Sequence, residues 1–145
     1  MEPKFPSLLF ADSAQYSLCG KPVFCINGAY SVDKYVRLMQ GWKWFESEEL
    51  TDEEMAAALE KLKTRAESGE GEYAILSHTC PRRYEPIDIF LPGIDQSRVS
   101  KRMEDFLDRV EDLISYEHWY CGHWHIDRTA GKLRFMFHDI DEFKV

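Results

Sequence analysis

The stretch Glu72-Tyr73-Ala74-Ile75-Leu76-Ser77-His78-Thr79-Cys80-Pro81 decides how this chain reads. Tyr73 to Leu76 is a continuous apolar run of strand length. Gly69 and Gly71 precede it and Pro81 follows, so the pattern predicts a buried strand from Glu72 to His78. His78 then sits where a rigid strand ends, a position that holds a ligand with little loss of entropy. A lone histidine at such a place is more often structural than chemical.

Upstream, Thr51 to Ser68 has the marks of a helix. Thr51 and Glu54 are spaced as a capping box, Met55, Leu59, Leu62 and Ala66 recur at helical spacing, and Gly69 stops the run. Lys21 to Asn27 reads as a second buried strand, with Asn27-Gly28 as the turn that ends it. Residues 29–46 form an aromatic-rich connector, with a short helix expected between Tyr30 and Met39. Leu8-Leu9-Phe10 is a candidate short strand in an otherwise weakly patterned start.

Downstream, residues 79–94 form a proline-rich loop longer than usual, and long loops are often functional. Ser97 to Ser115 is expected as a second long helix, with a stripe of Val99, Met103, Phe106, Leu107, Val110, Leu113 and Ile114. His118 to Cys121 and Lys132 to His138 complete the strands, with the turn Gly122-His123-Trp124-His125 between them. The order strand, helix, strand, helix, strand, strand indicates an α/β layered fold with histidines at strand ends.

Composition narrows the function. The chain has 145 residues, enough for one domain over 1–145, and its 44% apolar and 30% charged residues are those of an ordinary globular protein. A net charge of −8 argues against a basic groove for nucleic acid. No apolar run suits a membrane span or a secretory leader, which predicts a cytoplasmic protein whose Cys19, Cys25, Cys80 and Cys121 are reduced.

The chemistry lies in the histidines. On extended backbone, His123 and His125 would point to one side and reach one metal cluster. Imidazole suits Zn, Mn, Fe and Ni. An H-x-H pair is weak evidence by itself. The ordered set of strand-Ser77-His78-x-x-Pro81, a helix, then strand-Gly122-His123-x-His125 is more specific. It resembles the C-terminal motifs of the calcineurin-like metallophosphoesterases. Asn27-Gly28-Ala29-Tyr30-Ser31-Val32-Asp33-Lys34, with Arg37, Trp42, Trp44, Phe45 and Glu48 after it, resembles a stretch of a bacterial and phage branch of that family, with Asn27 in place of a glycine. Cys121 to Arg128 is similar to the same branch. The resemblance covers about residues 8–143.

That resemblance implies a four-layer α/β/β/α sandwich, here partial and without its N-terminal strands. It implies that His78 and His123 bind one divalent ion and His125 another, and that paired ions activate a water to attack a phosphomonoester or phosphodiester. The family's acidic motifs, Asp-x-His, Gly-Asp-x-x-Asp and Gly-Asn-His-Asp/Glu, do not occur in the sequence. Three imidazoles without a bridging carboxylate are expected to hold one ion at most. The function implied is therefore a metallophosphoesterase impaired as a single chain. The rival is a truncated remnant or interaction module, or one piece of a split enzyme. An uncovered sheet face would drive self-association or pairing with a complementing N-terminal fragment.

Other residues carry weaker expectations. Asp127 and Arg128 are candidates to orient the histidine pair, and Arg37, Arg82 and Arg83 to contact a phosphate, with solvated charges as the plainer reading of each. Asp33 and Lys34 are read in the same way. Trp124 either flanks the site or packs. Cys80 and Cys121 are soft-metal candidates but read better as buried small residues. His118 and His138 are expected to be structural.

Overall fold

A computed structural model describes residues 4, 5, 8, 10–93 and 95–143. The expected strand at Leu8-Leu9-Phe10 falls on Leu9, outside the described residues. Among those described, six strands form one mixed sheet: β1 (Gln15–Leu18), β2 (Lys21–Ile26), β3 (Glu72–Ser77), β4 (Tyr116–Cys121), β5 (Arg128–Ala130) and β6 (Leu133–Phe135). Their order is β1-β2-β3-β4-β6-β5. β2, β3, β4 and β6 run parallel, and the short outer strands β1 and β5 are antiparallel to their neighbours. Three helices complete the set: α1 (Lys34–Met39), α2 (Asp52–Glu67) and α3 (Arg102–Leu113).

The central strands form for the reason the sequence indicates. Parallel strands are covered and read as unbroken apolar runs, and Val23 to Ile26 and Tyr73 to Ile75 are buried. α2 starts at a full capping box, with Thr51 accepting from the Glu54 N–H at 3.2 Å and Glu54 accepting from the Thr51 N–H at 2.8 Å. Met55, Ala58 and Leu62 of α2 and Met103, Phe106, Leu107 and Val110 of α3 pack over Phe24, Ile75 and Trp119 of the sheet.

The opposite face holds a smaller cluster of Val23, Cys25, Tyr73 and Ala74, with Ala11, Tyr16 and Phe143 packed on it. Val23 and Ala74 are completely buried. Part of the face expected to be bare therefore carries side chains from β1 and from near the two ends of the described chain. One group of exposed apolar side chains lies on α1 and its flanks: Tyr35, Val36, Leu38, Met39, Trp42 and Phe45.

Two strands escaped the sequence pattern. β1 pairs with β2 across Cys19-Gly20, whose φ angles of 51° and 78° suit a type I′ hairpin turn. β5 pairs with β6 across Gly131-Lys132, with Gly131 at a φ of 60°. α3 begins at Arg102 rather than Ser97, because residues 95–101 are held by other partners. Ser97 bonds to Asp95, Ser100 to Glu49, and Lys101 to Glu85 at 3.0 Å. The final strand ends at Phe135, three residues before the expected end.

Glu104 is an acid enclosed by α3 and the strand end. It accepts from the Thr79 hydroxyl at 2.8 Å, while its second oxygen is buried with no hydrogen-bond partner among the described residues. Burial raises its carboxyl above the ordinary value. For an acid raised in the folded state, stability is full below the unfolded pKa and declines as pH rises through the folded one. Glu104→Gln is therefore expected to stabilise the chain at pH 7, with the gain fading below the ordinary carboxylate range. Urea unfolding at neutral and acid pH measures it.

Candidate metal and ligand site

The parallel strands β2, β3 and β4 end along one edge of the sheet, and His78 and Gly122 follow β3 and β4 directly. The Gly122 N–H donates to the His78 carbonyl at 3.0 Å, one step beyond the last strand pair Ser77↔Cys121. Ser77 accepts from the Trp119 indole at 2.7 Å and donates to the Thr79 carbonyl at 2.5 Å. Thr79 and Cys80 are fully buried. The backbone that carries His78 is therefore fixed on both sides, while the residue keeps partial access to solvent.

The second histidine segment departs from the expected extended backbone. The Trp124 N–H bonds to the Gly122 carbonyl at 2.8 Å, closing a γ-turn around His123. His123 has a φ of 68° and His125 a φ of 51°. Side chains rarely adopt this left-handed region, and such residues gather at functional sites where the surroundings hold them in place. Trp124 stacks on Phe90 of the long loop, with ring centres 5.6 Å apart. His125 stacks on Phe137 at 4.7 Å.

His78 and His123 meet edge to face, with ring centres 5.2 Å apart and an interplanar angle of 69°. Two imidazoles bound to one tetrahedral ion at about 2.1 Å have ring centres about 5 Å apart, so the pair is spaced to share an ion. Burial pulls the His123 imidazole down to about 4, with the charges of His78, His125 and Lys101 adding to the shift. Desolvation, then His125, also lowers His78. Both rings are neutral near pH 7, the state that binds metal.

Among the described residues, no group of three or more His, Cys, Asp or Glu stands close enough to hold an ion. The spacing of His78 and His123 suits one ion, and among the described residues no carboxylate joins them to make a two-ion centre. Cys80 and Cys121 do not substitute. Burial pushes the Cys80 thiol up to about 12 and raises Cys121 as well, so both stay protonated.

The other candidates have structural partners. Arg37 pairs with Asp33 at 2.7 Å, and Arg82 with Asp105 at 3.1 Å. Arg83 reaches Asp108, Glu111 and Asp112 on α3. Arg128 forms a two-pronged bond to Asp88, both contacts at 2.8 Å. Asp127 accepts the N–H groups of Phe137, His138 and Asp139 at 2.8, 3.1 and 3.2 Å. It fixes Phe137 and, through that ring, the stack under His125. Lys34 lies over Trp44 at 3.9 Å. His118 packs on Tyr73 and Tyr120, and His138 is exposed beside Phe137.

His123 and His125 border a cavity of about 560 Å³, which none of the arginines named above lines. Arg98 and Lys101 line it instead. The sequence offered little to single them out, because their segment reads as the first turn of a helix.

The positive φ at His125 makes a testable difference. Glycine occupies the left-handed region without steric cost, whereas alanine pays about 1 kcal/mol for its Cβ. His125→Gly is expected to be more stable than His125→Ala by about 1 kcal/mol in chemical denaturation. On extended backbone the order would be reversed.

No family model, curated protein or solved structure matches this chain.

Proposed function

We propose that this chain carries the histidine part of a calcineurin-like metallophosphoesterase site, binding one divalent cation through His78 and His123 and presenting it to a phosphate ester. The observation that supports this most is the pair of neutral imidazoles, 5.2 Å apart, brought together from two parallel strand ends beside a cavity. The cation, Mn, Fe, Ni or Zn, would supply positive charge against a phosphate oxygen. The chain's own part is positional. Ser77 and Thr79 fix the backbone of His78, the γ-turn fixes His123, and Phe90 stacks on Trp124 beside it. In this reading the sheet is half of a four-layer α/β/β/α sandwich. The acidic ligands would then come from a complementing segment outside this chain.

A second reading is a cation-binding interaction module without turnover. That no group of three or more metal-ligating side chains stands together among the described residues weighs against a two-ion catalytic centre and so toward this reading. Titration with Mn²⁺, Ni²⁺ and Zn²⁺ by calorimetry tests both. One ion per chain is expected, with affinity reduced at least about tenfold in His78→Ala and His123→Ala and less in His125→Ala. Hydrolysis of a chromogenic phosphodiester that is lost in His123→Ala selects the enzyme, and binding without turnover selects the module. No binding by the unmodified chain sinks both.

A further inference from the structure

The cavity beside His123 is built unevenly. The connector supplies Tyr30 and Tyr35, the long loop supplies Phe90 and Leu91, and the histidine turn supplies Trp124. Its volume of about 560 Å³ lies within the range of small-molecule sites, which are mostly apolar with a few placed polar groups. A bare phosphate would leave these walls wet. Tyr35 is 57% exposed and Leu91 74% exposed, so both offer apolar surface that a ligand would cover.

The charges around the cavity are also uneven. Lys101 is paired with Glu85 at 3.0 Å, with its ammonium 5.6 and 5.7 Å from the Phe90 and Trp124 ring centres. Asp95 is engaged with Ser97. Arg98 forms no ion pair among the described residues, and an exposed guanidinium on an apolar cavity suits an anionic oxygen group. Four aromatic walls favour a planar ring over a flexible chain, because ring faces stack and edges pack with little conformational loss.

We infer that this cavity seats the aromatic group of a small phosphate ester, no larger than a mononucleotide, with Arg98 as its anion contact and Tyr35 and Trp124 as ring contacts. The inference rests on the phosphoester reading of the histidine pair and names the substrate class. A chain of net charge −8 disfavours a longer polyanion in the same place.

The test uses the full chain in EDTA, so that cavity binding is read apart from the metal. Phenyl phosphate, adenosine monophosphate, phenol and inorganic phosphate are titrated by calorimetry and ligand-observed NMR. One of the two aromatic phosphates is expected to bind at least about tenfold more tightly than phenol or inorganic phosphate. The better of the two tells a simple aryl ester from a nucleotide. Arg98→Ala should weaken the aromatic phosphate about fivefold and leave phenol unchanged. Tyr35→Ala, also at the surface, should weaken both. Equal affinity for inorganic phosphate, or no effect of either substitution, overturns the inference. So does a dimer that Tyr35→Ala dissociates while aromatic phosphates fail to bind. Loss of cation binding with these results intact would sink only the metal reading.

Discussion

The hydrogen bond from the Gly122 N–H to the His78 carbonyl holds two distant parts of the chain to one geometry. It extends the parallel pairing of β3 and β4 past Ser77↔Cys121, just where β3 gives way to His78 and β4 to Gly122 and His123. Strand faces alternate, so a slip of one residue would turn every inward side chain outward. The register is therefore set by the core, where Ile75 and Trp119 are fully buried side by side. The spacing of the two imidazoles is a consequence of that packing.

Once that edge is fixed, the chain can hold an unfavourable turn on it. Two left-handed non-glycine residues separated by one position cost about 1–3 kcal/mol each. Their surroundings offset this. Trp124 between them is clamped by Phe90, and the return strand is pinned where Asp127 gathers three successive N–H groups. Met136 N–H also bonds to the Cys121 carbonyl at 2.8 Å, joining the return strand to the end of β4. The irregular turn thus sits between regular elements on both sides, the arrangement that allows a strained segment to persist.

What could be read from sequence follows the strength of local signals. β2, β3 and α2 were legible because their patterns are continuous: apolar runs in the strands, a capping box and helical spacing in α2. β1 was hidden because only Tyr16 of its residues is partly buried and its turn begins with cysteine rather than asparagine or aspartate. Val99 fits the apolar stripe of α3, yet it lines the cavity, because contacts with Glu49 and Glu85 outweigh the helical preference of its neighbours. The histidines were legible as strand-end residues. The γ-turn was not, since nothing in His-Trp-His marks a positive φ. Arg82 and Arg83 were ambiguous for a different reason: their acidic partners lie 23 to 29 positions later, a pairing only the tertiary fold creates.

Among the described residues, no carboxylate or thiolate joins the histidine pair in a group of three or more able to hold a metal, and this has a chemical consequence. Sites that hold a metal for structure commonly use thiolates, which neutralise the ion. Here Cys80 and Cys121 lie beside the histidines in sequence but are kept as thiols by burial. Many of the chain's acids are occupied elsewhere, as Asp105, Asp108 and Asp112 are with arginines on α3's outer side. An ion held by neutral imidazoles keeps its full charge and draws an anion as co-ligand. On the reading proposed above, the ester's own oxygens would supply the charge that the two rings lack.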